Sequence, residues 1–209
     1  MIRKIYAVEN NIIIIAITGA SGAQYGLRLL ECLIQAQHNV NLIISPAGRV
    51  VLRTELNLIL PPRVKEMECM LSERVGASTG QLRVFGYRQW SAPIASGSNP
   101  PQAMVVCPCT VGTVGAIANG LSANLIERTA TVTLKEHRQL ILVIRETPLT
   151  ALHLENMLRL AQLGVTILPA CPGFYFKPQR IEELIDFIVA RVLDHLHVTH
   201  SLSSRYLSC

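Results

Sequence analysis

Two segments place hydroxyl groups and glycines where a strand gives way to a helix. The first is Thr18-Gly19-Ala20-Ser21-Gly22-Ala23-Gln24-Tyr25-Gly26, the second Pro108-Cys109-Thr110-Val111-Gly112-Thr113. Glycine lets backbone approach a ligand closely, and a helix start offers unpaired N–H groups to an anion. The first segment spaces its glycines G-x-x-G-x-x-x-G, not the G-x-G-x-x-G of dinucleotide sites. By itself it fits a tight strand–helix turn or a flavin or nucleotide site, with Ser21 as a candidate ligand hydroxyl. Two such helix starts on one sheet edge strengthen the anion reading, and Ser96-Gly97-Ser98 is expected to join the same rim. Arg145-Glu146 follows an apolar run directly; it is either an ion pair at a strand end or a ligand contact. Arg128 and Lys135 lie about two turns apart on one helical face, a solvated basic face or an anion site. Arg191 interrupts the apolar pattern of the last helix; snorkelling, an interface and a phosphate contact all account for it.

Other chemistries are poorly served. The six cysteines (32, 69, 107, 109, 171 and 209) lie in apolar segments, and Cys107-Pro108-Cys109 is not C-x-x-C. They read as small buried hydrophobes in a reducing compartment, with no zinc pattern. His195, His197 and His200 read as a solvated tail. The net charge is +5, yet the only adjacent Lys/Arg pair is Arg3-Lys4 and aromatics make up 5%. There is neither a basic stripe nor a stacking platform for nucleic acid.

These groups need a scaffold, and the apolar pattern supplies one. Ile12–Ile17, Val40–Ser45, Ala103–Cys107, Leu140–Ile144 and Val165–Leu168 read as strands. Tyr25–Gln35, Gly48–Leu58, Val64–Val75, Val111–Asn119, Leu125–Lys135, Thr150–Leu163 and Ile181–Leu196 read as helices. Gly76–Pro101, rich in Gly, Ser and Pro, reads as the least regular stretch. Strands alternating with helices imply an α/β fold, a doubly wound, mostly parallel sheet. Ligands of such sheets sit at the carboxyl ends of the strands, where strand order reverses. With no internal repeat and no linker, residues 1–209 read as a single domain, with a core over about 12–197 and a tail over 198–209.

Composition bounds the rest. Half of the 209 residues are hydrophobic, 16% are charged, and mean hydropathy is +0.35. The chain has ample apolar surface to fold, which excludes disorder. Its longest aliphatic run, Ile12–Ile17, is far short of the roughly 18 residues a membrane span needs. Glu9, Asn10 and Asn11 break the superficial signal-peptide look of the N-terminus, and a cytoplasmic location is expected. An average soluble domain is about 25% charged, so this chain either folds very compactly or hides much of its surface against copies of itself.

With these features in view, the chain resembles the UbiX/Pad-type flavin prenyltransferases, long described as aromatic-acid decarboxylases. The resemblance rests on ITGASGAQYGLRLL (17–30), IASGS (94–98), MVVCPCTVGTVGAIANGLSANLIERTATVTLKEHR (104–138), LVIRETPL (142–149), HLENMLRLAQLGVTILPACPGFYFKPQ (153–179) and IDFIVARVLDHL (185–196). It implies a Rossmann- or flavodoxin-like fold that binds FMN. It implies transfer of a dimethylallyl group from dimethylallyl monophosphate to reduced FMN, without a metal. In the family, flavin N5 displaces phosphate from the allylic carbon and C6 then closes a fourth ring. The product, prenylated FMN, serves a UbiD-type decarboxylase. A homo-oligomer, commonly a dodecamer with active sites at subunit junctions, is also implied.

The resemblance assigns roles by position. Gly19, Ala20, Ser21, Gly22, Ser45, Thr110, Val111, Gly112, Thr113 and Arg145 match FMN contacts. Ser21 and Glu55 match the pair that handles protons beside N5, and Glu146 the group that assists the departing phosphate. Arg128, Lys135, Arg145, Tyr175 and Arg191 match the prenyl-phosphate contacts. Trp90 and Tyr206 are candidate aromatics for a cation-like allylic fragment. Two departures stand out: Thr110 replaces the family's usual Ser and keeps the hydroxyl, and Ala123 replaces its usual Asp. Two other readings compete. An FMN-dependent cysteine decarboxylase of the phosphopantothenoylcysteine type would need a catalytic His and a PASANT-like motif, of which Ser122–Leu125 is a faint echo. A non-catalytic flavin-binding partner subunit of a decarboxylase would not need the phosphate-trapping set.

Overall fold

The computed structural model describes residues 12–202. Six strands form one all-parallel sheet: β1 (Ile12–Ile17), β2 (Asn39–Ile44), β3 (Leu82–Phe85), β4 (Ala103–Cys109), β5 (Gln139–Ile144) and β6 (Thr166–Pro169), in the order β3-β2-β1-β4-β5-β6. Between them run α1 (Ala23–Gln35), α2 (Pro46–Leu56), α3 (Val64–Val75), α4 (Val111–Ala118), α5 (Leu125–Lys135), α6 (Ala151–Gln162) and α7 (Ile181–His195). Among the described residues, no helix is long and apolar enough to cross a membrane.

The isoleucine run of β1 follows from its central place. Ile13, Ile15 and Ile17 pack into one core with α1, α3 and α7. Ile14 and Ala16 pack into a second core with α4, α5 and α6. A strand buried on both faces carries apolar residues continuously. This is the expected doubly wound sheet, and strand order reverses between β1 and β4.

The stretch 76–101 departs from expectation. It contains β3 and a short 3₁₀ turn at Pro93–Ala95. β3 is a four-residue edge strand whose Arg83 points to solvent, so its apolar signal is diluted by half. Two helices also begin earlier than periodicity suggests. α2 starts at Pro46 because Ser45 accepts a hydrogen bond from the Gly48 N–H and Pro46 takes the first helical position, where a missing N–H costs nothing. α1 starts at Ala23, just after Gly22 turns the chain at φ +98°.

Candidate active site

Three loops meet at the carboxyl edge where strand order reverses: those after β1, β2 and β4. Buried Thr18 ties the first to the third. Its hydroxyl donates to the Pro108 carbonyl at 2.8 Å and accepts from the Thr110 N–H at 3.0 Å. Its own N–H also reaches the Pro108 carbonyl, at 3.2 Å. The Ser45 N–H donates to the Ile17 carbonyl at 3.0 Å, joining the second loop to the first. The close approach demands glycine at position 48, where an added Cβ would stand 2.6 Å from the Ile17 oxygen.

Two helix starts face this junction. Thr110 caps α4, accepting from the Thr113 N–H, and its hydroxyl meets that of Thr113 at 2.9 Å. Gly112, in the first turn, has open space where a side chain would stand, with only the Thr110 hydroxyl at 4.0 Å. Val111 stands between them in the same turn. The start of α1 has no side-chain cap of its own. Glu55, near the end of α2, supplies one: its carboxylate accepts from the N–H groups of Gly22 at 2.9 Å and Ala23 at 3.0 Å. Arg145, directly after β5, donates from Nε to the Ser21 carbonyl at 3.3 Å. Ser21, Glu55 and Arg145 thus converge on one turn, Gly19–Gly22, with Ser21 exposed. Glu146 is exposed beside Arg145, and its carboxylate accepts from the Thr147 N–H. Open N–H groups, paired hydroxyls and a cation at a strand-order reversal fit a flavin bearing a phosphate.

Two contributors lie outside the sequence reading. Thr18 is one; a hydroxyl at a strand end shows no local pattern. Tyr25 is the other: its ring lies under Gly22, 2.7 Å from where a Cβ would be. Burial pushes the Tyr25 hydroxyl pKa up, with a weaker opposing pull from Arg145. Glu55 is recognisable only by resemblance, since its partners lie over thirty positions away.

The remaining cations stand elsewhere on the subunit. Lys135 ends α5, pairs with Glu136 at 3.1 Å and crowds Gly97. It precedes β5, whereas Arg145 follows it, and six strand residues span about 20 Å. Arg128 lies two turns earlier on α5 and donates to the Ala95 carbonyl at 2.9 Å. Arg191 pairs with Asp194 at 2.7 Å. One turn on, the His195 carbonyl accepts from Gln139 at the start of β5. Ser96–Ser98 therefore does not share the carboxyl rim; it precedes β4 and lies beside Lys135, because the chain must return to the amino edge before a parallel strand can begin. Tyr175, exposed, is on the loop after β6, and Trp90, exposed, on the turn after β3. Tyr206 lies outside the described residues. At position 123 the backbone N–H donates to Glu127 while Asn124 caps α5, so the helix start is satisfied with Ala there. His200 meets Asp194 at 3.2 Å, and among the described residues no cluster of His, Cys, Asp or Glu is placed to hold a metal ion.

Comparison with known proteins agrees with this geometry. The family model described as Flavoprotein matches residues 3–193. The flavin prenyltransferase UbiX of Pseudomonas aeruginosa is 53% identical over 194 residues, 93% of each chain. A crystal structure of AnUbiX (PadA1) in complex with FMN and dimethylallyl pyrophosphate is 35% identical, with a TM-score of 0.84, over 95% of this chain and 98% of that one. A dodecameric FMN-dependent UbiX-like decarboxylase from Escherichia coli O157:H7 is 32% identical, with a TM-score of 0.83, over 94% of this chain and all of that one.

Proposed function

The chain belongs to the flavoprotein family and, within it, to the UbiX flavin prenyltransferases, and from that premise we propose how its residues work. It is a prenyltransferase that uses FMN and moves a dimethylallyl group from the monophosphate to the reduced flavin. The flavin supplies the nucleophilic ring atoms. Gly19–Gly22, Ser45, Thr110–Thr113 and Arg145 hold it. The convergence of Ser21, Glu55 and Arg145 on the start of α1 carries this reading. Ser21 and Glu55 hold or move the proton released as the new ring closes.

Departure of the phosphate demands positive charge and hydrogen-bond donors in a dry site. Arg128, Lys135, Arg145, Tyr175 and Arg191 supply them, and Glu146 assists the leaving group without a metal ion. Lys135 and Arg145 stand at opposite edges of one subunit, so a complete site draws on neighbouring copies in a homo-oligomer, which we assign as a dodecamer. The core of residues 12–197 forms this single flavoprotein domain, with 198–209 as its tail. The product passes to a UbiD-type decarboxylase. The reaction runs in the cytoplasm, a reading supported by the five described cysteines, all free thiols.

The test is phosphate release. With reduced FMN, dimethylallyl monophosphate and a chelator, the chain releases one phosphate per flavin. Release that does not depend on the flavin, or none at all, overturns the proposal.

A further inference from the structure

The amino edge of the sheet carries a cleft of about 250 Å³ that shares no residue with the set above. Ile12, Asn39, Asn41, Arg83 and Phe85 form its floor, and the segment Pro93–Pro101 closes one side. Parallel register sets Asn41 beside Arg83 and Ile14. Asn41 is only 7% exposed, yet its amide has no hydrogen-bond partner among the described residues, and neither has the Arg83 guanidinium. Gln81, also in the lining, differs: its amide donates to the Ile34 and His38 carbonyls and accepts from the Ser78 N–H. No acidic residue lines the cleft.

We propose that this cleft binds a small monocarboxylate built on one flat apolar ring, with its carboxylate on Arg83 and Asn41 and its ring against Phe85, Ile94 and Pro101. Size supports a single ring. An apolar cavity of about 150 Å³ holds benzene, and drug-sized ligands need about 300 Å³ or more. Charge supports a monoanion: one guanidinium flanked by neutral amides matches a carboxylate, whereas a phosphate dianion keeps an unmatched charge.

The test titrates the FMN-loaded full chain with benzoate by calorimetry at low salt, with benzamide as the uncharged counterpart. Benzoate binds saturably. Benzamide binds about tenfold more weakly or worse, and Arg83→Gln weakens benzoate by a similar factor. Asn41→Leu, which removes the amide and fills the cleft, abolishes binding. Both variants keep FMN binding and prenyl transfer at the parent level. An unsaturable titration of the parent chain overturns the proposal, as does benzamide binding as tightly as benzoate, or benzoate binding that neither variant changes.

Discussion

Replacing Thr18 by Val keeps the shape of the side chain and removes its hydroxyl. The Thr110 N–H then loses its acceptor and the Pro108 carbonyl loses one of two donors. Thr18 is 3% exposed, so water does not replace them cheaply. One lost hydrogen bond costs about 1 kcal/mol, and a stranded N–H about 1–3 kcal/mol. The sum is about 2–4 kcal/mol, which for a chain of this size lowers Tm by roughly 4–16 °C. Both loops that approach the flavin hang on this contact, so FMN affinity falls as well. Thermal melts at fixed FMN and protein concentration read the first effect, and quenching of flavin fluorescence reads the second. Thr18→Ser, which restores the hydroxyl, regains most of both. A Thr18→Val protein within about 0.5 kcal/mol of its parent, a size typical of neutral surface changes, and with unchanged FMN affinity, refutes the clasp.

Gly26→Ala places a Cβ 2.3 Å from the Cys107 carbonyl oxygen, which forces α1 off β4; we expect a loss of at least about 1–3 kcal/mol, read as a lowered Tm. Glu55→Gln keeps one acceptor for the α1 start, so FMN binding persists while product formation slows; normal turnover removes Glu55 from the chemistry. Burial pushes the thiols of Cys107 and Cys109 far above their ordinary range, so iodoacetamide leaves both untouched in the native chain and modifies both in denaturant. Unfolded thiols release their protons near pH 8.5 while the buried ones keep theirs, so stability falls as pH rises beyond that value. Lys135→Ala and Arg145→Ala chains, each inactive alone, regain about one quarter of parent activity when co-assembled at equal amounts, because a site using both residues from different copies is intact by chance that often; no recovery contradicts the shared site.

Much of this was legible in the residues. The apolar runs located β1, β2, β4 and β5, because strands covered by helices on both faces carry unbroken apolar sequence, and the short run Val165–Leu168 located β6 at the far edge. The loops after β1 and β4 announced themselves through glycine and hydroxyl spacing. β3 escaped because an edge strand exposes alternate positions, and Arg83 occupies one of them. Local pattern reading could not supply Thr18, whose partners are about ninety positions away, nor the capping role of Glu55. The separation of Lys135 from Arg145 was implicit in topology: a helix that leads into a parallel strand ends at the opposite edge from the residue that follows that strand. The family resemblance had grouped them around one phosphate without saying that they must come from different copies. The amide of Asn41 was invisible until β3 was found, since its neighbour Arg83 lies there.

The measurement that bears most directly on the central claim is the mass of the flavin after anaerobic incubation of the chain with reduced FMN, dimethylallyl monophosphate and a metal chelator. The expected product is FMN heavier by one dimethylallyl unit, formed with loss of the donor's phosphate. Unmodified FMN recovered from a chain shown to bind both reactants contradicts it.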